Sequence, residues 1–319
     1  MNFELYDIVD SEQYVDTNCY QHQISHVLAS SFNVNRLTLA ELKNTKLPNN
    51  AFVLSRLRLR TIFANIEWLS EKLLNARLVV YEQDPWENFY TASPYFGSYN
   101  LIASKLPVIT FLNTSHWWSA RVNESGIPSQ FVQMWMLPKY CVKPTPWSQR
   151  EKDAIFCGTL RPNRKLFIDA LAQKGLSIEV VPSMGYWDYL NVLSRAKLVI
   201  RSEMIPYDAK FLGKATIVSQ PHALWIRDIE CASRGVFSMR EKEHEGELWG
   251  INNIPTITPF STIDDAVSKA NKILSMSNEE ADALVSTSVD FVRNAEGWTT
   301  IPTAIKTIAR PYGWSFDEA

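Results

Sequence analysis

Short β-rich runs alternate with helix-period segments along most of this chain, and the alternation halts once before restarting. No other feature narrows the choice of fold so far. Parallel strands need a crossover of a dozen or more residues between them, usually a helix. Repeated alternation therefore predicts parallel sheets flanked by helices. The first set of runs predicts strands over Phe3–Val9, Phe52–Arg60, Leu78–Glu82, Val108–Leu112 and Phe131–Met136. Between them, CYQHQISHVLASSF and IFANIEWLSEKLLNA repeat apolar residues at three-and-four spacing, the period of an amphipathic helix.

The break is KPTPWSQREKD, Lys143–Asp153, whose prolines and polar run suit a linker. After it come strand AIFCGTL, helix NRKLFIDALAQKG, strand SIEVV, helix YWDYLNVLSRA, strand KLVIRS, strand ATIVS, helix WIRDIECASRG and strand VFSM. A chain of 319 residues outgrows the usual single core, so each half is expected to be its own doubly wound α/β domain. The expected division is a Rossmann-like domain over 1–145, a second over 153–290 and a helical tail, 291–319, that can return to the first. NEEADALVSTSVDFV has a clear amphipathic period. Two such domains on one linker make a cleft, and ligands sit outside the carboxyl ends of the strands.

Composition excludes several classes. Hydrophobic residues at 46% and charged residues at 21% are globular values, so wholesale disorder is not expected. A net charge of −2 gives no general attraction to polyanions, and nucleic acid would have to be met by a local patch. Cys19, Cys141, Cys157 and Cys231 form no CxxC pair, which predicts neither a zinc site nor a disulfide framework. The start, MNFELYDIVDSEQ, is acidic where a signal peptide is basic. No run approaches the roughly 20 apolar residues of a membrane span. A cytoplasmic monomer without a membrane partner is expected.

Five stretches can carry chemistry. In AIFCGTLRPNRK a strand ends at Gly158 and Thr159, and Arg161 and Arg164 follow at the start of a helix. Helix amides, a small residue and paired guanidinium groups suit an anion such as a diphosphate, while a turn with solvated arginines is the plain alternative. The loop is neither a Walker loop nor GxGxxG. In ALWIRDIECASRG, Arg227 and Glu230 stand three apart on one helical face, either as an exposed ion pair or as groups for a phosphate and a ribose diol.

In VVYEQDPWENF a strand runs into Asp84, held extended by Pro85, so Asp84 is placed either as a general base or as the cap of the next turn. His116 in FLNTSHWW, beside Trp117, follows another strand and is either a second base or a packed side chain. As one strand, SRLRLRT would put Arg56, Arg58 and Arg60 on a single face, a basic stripe for phosphates or a solvated edge. His22 and His26 lie one helical turn apart without a matching third ligand, so no metal site is expected.

Taken in order, LVVYEQDPWENF, FCGTLRPNR and the R-x-x-E helix resemble glycosyltransferases of the GT-B type, with two Rossmann-like domains facing across a cleft. More narrowly, they resemble the phage DNA β-glucosyltransferases that modify hydroxymethylcytosine. The resemblance runs from about Asn75 to the end, and the arginine loop is one residue shorter than in that family. It implies an inverting transferase with Asp84 as catalytic base and a UDP-sugar as donor. Gly158, Thr159, Arg161, Arg164 and Arg227 would meet the diphosphate, and Glu230 the ribose. Double-stranded DNA is the acceptor it suggests, with Arg56, Arg58, Arg60, His116 and Trp117 as candidate contacts and the host cytoplasm as location if the chain is phage-encoded. A glycan or small metabolite as acceptor, or a non-catalytic nucleotide-sugar-binding protein, are the alternatives. No tightly bound cofactor is implied; a divalent cation is compatible but not indicated.

Overall fold

The computed structural model describes residues 3–83, 85–89, 93–160, 162–201, 226–241, 250–295 and 300–316. Asp84, Arg161 and the expected strand ATIVS lie outside them. The chain divides into two compact units, 1–134 with 297–319, and 135–296.

In the first unit β1 (Glu4–Val9), β2 (Asn33–Thr38), β3 (Phe52–Ser55), β4 (Arg77–Glu82), β5 (Val108–Asn113) and β6 (Ser129–Phe131) form one sheet. Every pairing is parallel, in the order β2-β1-β3-β4-β5-β6. Ile8, Val53, Leu78, Val80 and Phe111 pack against Leu69, Ile102 and Val122 of the flanking helices. Each such side chain removed from water contributes about 1.5–3 kcal/mol. Strand β2 was not expected from the sequence, because NVNRLT is an edge strand that stays half-exposed and needs no apolar run.

Two strand expectations are corrected. The run Phe52–Arg60 is a strand only to Ser55; a helix, Leu59–Ala64, begins after Arg58. The run Phe131–Met136 contributes only its first residue to β6. The helix expected across IFANIEWLSEKLLNA breaks at Asn65, whose amide donates to the Thr61 carbonyl at 2.8 Å.

The chain passes into the second unit at 134–135, ahead of the prolines of Lys143–Asp153. Trp135 donates its indole N–H to the Val292 carbonyl at 3.2 Å, and the Trp147 backbone donates to Asp282 at 2.8 Å. The proline-rich stretch is thus strapped to the second unit instead of hanging between units. At the far end, 297–319 belongs to the first unit, where helix Thr300–Ala309 packs on helix Cys19–Ser31. Beyond it Trp314 meets Phe3 and Phe52 edge-on at 5.6 and 5.3 Å. Trp314→Ala is expected to cost the first unit about 2 kcal/mol, less than a fully buried indole because Trp314 is half-buried; urea unfolding checks it.

The second unit holds β7 (Lys152–Cys157), β8 (Glu179–Val181), β9 (Ala196–Ile200), β10 (Phe237–Glu241) and β11 (Ile257–Phe260). They pair in parallel in the order β11-β10-β9-β7-β8. Phe156, Leu198, Phe237, Met239 and Phe260 fill its core with Leu171 and Ala270 from the helices. Strand β11, a short edge strand carrying Pro259, escaped the sequence reading for the reason that prolines are confined to edges. The chain leaves β7 for β8 on one side and returns to β9 on the other, so the topological switch point, where such sheets take ligands, lies between the carboxyl ends of β7 and β9.

Candidate functional site

Strand β7 delivers Cys157 buried and Gly158 at φ +132°, a conformation that side chains disfavour. Helix Pro162–Gln173 follows, so its N-terminal amides lie at the same sheet edge. Arg227 Nη1 donates to the Cys157 carbonyl at 3.0 Å, and Arg164 Nη1 donates to the Thr159 carbonyl at 3.1 Å. A Cβ on Gly158 would lie 2.9 Å from Arg227 Nη1 and 3.8 Å from Arg164 Nη1. Gly158, Thr159, Arg164 and Arg227 are therefore brought to one loop, with guanidinium groups from different helices against the glycine. Arg161 lies outside the described residues.

Gly158→Ala should strain the backbone by about 1–3 kcal/mol and push Arg227 aside. The expected result is a loss of stability of that size, read as a lower urea midpoint than wild type.

The helix carrying Arg227, Ile226–Ser233, is buried on nearly every side, which the sequence hid. Glu230 is completely buried, and the Tyr186 hydroxyl donates to its Oε1 at 2.7 Å. Its Oε2 is buried with no hydrogen-bond partner among the described residues. Burial raises the Glu230 carboxyl, against the pull of the Tyr186 and Tyr189 hydroxyls and of the Arg227 and Arg201 charges. This is not a solvated i,i+3 pair. Burial also pushes the adjacent Cys157 thiol up to about 12, which makes it packing and not a nucleophile.

Asp228, between the expected pair, is a residue the sequence reading missed. It is fully buried and accepts from Arg201 Nη1 at 3.1 Å, Arg240 Nη1 at 2.9 Å and Ser238 Oγ at 2.7 Å. Burial opposes its charge, but Arg201 and Arg240 prevail and hold the carboxyl below the usual aspartate range. The available signal was an arginine at the end of each of two neighbouring strands, KLVIR and FSMR, which want an anion between them.

In the first unit Asp84 lies outside the described residues, but its neighbours do not. The Gln83 carbonyl accepts from Thr114 Oγ1 at 3.3 Å, tying the end of β4 to the loop after β5. Pro85 opens a short 3₁₀ turn, Pro85–Asn88. Two residues past Thr114, His116 starts helix His116–Glu124, exposed, with its ring 5.4 Å from Phe131. Ser115 caps that helix by accepting from the Trp118 N–H. Trp117 carries the Arg121 guanidinium 4.8 Å above its ring.

The arginine stripe is a correction. Arg56 is buried, with its Nε and Nη2 on Asp7 at 2.7 and 2.5 Å, Nη1 on the Gln21 carbonyl and Oε1 at 2.8 Å each, and Nη2 also on Ser25 at 2.9 Å. Every donor of its fork is used inside the protein. Arg58 bonds Asp10 at 3.1 Å and lies 4.4 Å over Tyr14, and Arg60 is exposed on the helix. Because the strand stops at Ser55, strict alternation never forms and the arginines share no face.

His22 and His26 sit with ring centroids 4.8 Å apart. Among the described residues no group of three or more His, Cys, Asp or Glu is arranged to hold a metal ion. No described helix is long and apolar enough to cross a membrane.

No protein-family model and no curated protein matches this sequence. Solved structures do. The T4 phage β-glucosyltransferase is similar with a TM-score of 0.62 at 11% identity, over 96% of this chain and 99% of that one. Sucrose-phosphate synthase from Thermosynechococcus elongatus gives 0.62 at 11% identity, over 97% and 99%. An α-glucosyltransferase bound to UDP and a 13-mer DNA containing an HMU base gives 0.60 at 11%, over 97% and 100%. At such identity the shared property is the fold: with two parallel, doubly wound Rossmann-like units in one chain, this is a protein of the GT-B fold.

Proposed function

We propose that this protein is an inverting glycosyltransferase that moves a sugar from a UDP-linked donor to a hydroxyl acceptor. The observation that carries the reading is the loop after β7, where Arg164 and Arg227 flank Gly158 at a helix N-terminus and the buried Glu230 lies one turn along the Arg227 helix. Guanidinium groups and helix amides suit a diphosphate, and a carboxylate suits ribose hydroxyls.

In the reaction, Asp84 takes the proton of the acceptor hydroxyl as its oxygen attacks the anomeric carbon. The bond from that carbon to the diphosphate breaks, and UDP leaves with the electron pair. Arg161, Arg164 and Arg227 stabilise the charge that builds on the leaving group. Glu230 holds the ribose. A hydroxymethylated base in duplex DNA is the acceptor supported by likeness to the phage enzyme and to the DNA-bound α-glucosyltransferase. Such a base must leave the stack to react.

The test is mass spectrometry of hydroxymethylated duplex DNA after incubation with a panel of UDP-sugars. A mass gain of one sugar per modified base supports the DNA reading, and a salt-dependent gel shift should accompany it. A small-molecule or glycan acceptor is the second reading, favoured by the burial of Arg56 and by likeness to sucrose-phosphate synthase. Transfer to free sugars or sugar phosphates, with DNA untouched, selects it. Donor binding without consumption in any of these assays would leave a nucleotide-sugar-binding protein.

A further inference from the structure

We propose that Tyr186 is a positioning residue for Glu230: its hydroxyl ties down Oε1 so that Oε2 is the atom presented to a ribose hydroxyl, which makes the site select ribonucleotides. The inference rests on the nucleotide-binding reading above.

A carboxylate oxygen buried without a hydrogen bond is costly, and native proteins seldom leave one unless a ligand completes it. Among the described residues Glu230 Oε2 is such an atom, on a side chain with no exposed surface. Its sister oxygen is held by Tyr186, itself buried and fixed by contacts of its hydroxyl with Met136 Sδ at 3.8 Å and of its ring with Tyr140 at 6.4 Å. With Oε1 committed, the carboxylate cannot rotate without breaking a charge-assisted bond, so the oxygen left over has a defined place.

The axial spacing fits. Arg227 and Glu230 are three residues apart on one helix, about 4.5 Å along its axis. Arg227 lies against Gly158 at the anion loop. A ligand with its anion on the loop would then bring the adjoining sugar ring level with Glu230. Tyr189 follows Tyr186 on the same helix, and its buried hydroxyl also pulls the Glu230 carboxyl down; among the described residues neither it nor Oε2 makes a hydrogen bond of normal geometry, so Tyr186 alone ties the carboxylate down.

Calorimetry with UDP, 2′-deoxy-UDP and 3′-deoxy-UDP on the whole protein tests this. Wild type should bind UDP about tenfold or more tightly than at least one deoxy analogue, the value of a hydrogen bond to a charged group. Y186F keeps the ring and removes only the hydroxyl. It should shrink that preference to about twofold while leaving affinity for the disfavoured analogue unchanged, as expected when a positioning bond is lost. In an E230Q background Y186F should change the preference no further. A wild-type preference that survives Y186F, or an equal loss for all three nucleotides, overturns the positioning role while leaving nucleotide binding intact. A wild type that binds no UDP overturns both.

Discussion

Asp84→Asn is expected to lower sugar transfer by about 10²–10⁴-fold, the range for removing a general base, while UDP affinity stays within about twofold. Asparagine keeps the shape of the side chain and cannot accept a proton at neutral pH. The substitution also separates the roles left open for this residue. Asparagine caps a helix about as well as aspartate, so if Asp84 only caps the turn opened by Pro85, the variant keeps both its activity and its stability. Asp84→Ala would then cost about 1 kcal/mol of stability with little change in turnover. A base gives the opposite pattern, with turnover lost in Asp84→Asn and the melting temperature unmoved. Single-turnover kinetics beside a thermal melt reads both.

Asp228→Ala is expected to destabilise the second unit by about 3–5 kcal/mol, because it leaves the Arg201 and Arg240 guanidinium groups without the carboxylate that bridges them in the core. Set against a typical domain stability of about 5–15 kcal/mol, that is close to unfolding. A control is at hand in Asp153→Ala, which removes a pair with Lys197 whose aspartate is mostly exposed and should cost at most about 1 kcal/mol. Denaturant midpoints for the two variants should differ several-fold in their shifts.

The same carboxylate makes a pH prediction. Its folded pKa is depressed, so Asp228 adds stability that is fully present above the unfolded aspartate value of about 3.9 and is lost as pH falls through the folded value. Acid unfolding of wild type should therefore steepen below about pH 4, and Asp228→Ala should lack that component.

Much of the architecture could be read from the chain because the signals are local. The run AIFCGTL, its glycine and the helix after it state a strand, a turn and a helix within twenty residues, and the loop at Gly158 is built as that order implies. That Arg227 and Glu230 share one helix was likewise legible, since the segment carries helical spacing. Legibility failed where partners are distant in sequence. Arg56 alternated with leucines as a strand arginine should, yet Asp7, Gln21 and Ser25, from 31 to 49 residues away, draw it into the core.

The sequence by itself determined two parallel α/β units and the strand–glycine–helix turn at the end of β7, because periodicity, prolines and glycines act over a few residues. Only the tertiary structure decided which charges are spent inside the protein, as for Arg56 and Asp228, and which buried oxygen has no hydrogen bond among the described residues, as for Glu230 Oε2. The physical reason is that a buried charge must find its hydrogen-bond partners wherever the fold brings them, and spacing along the chain does not encode that proximity.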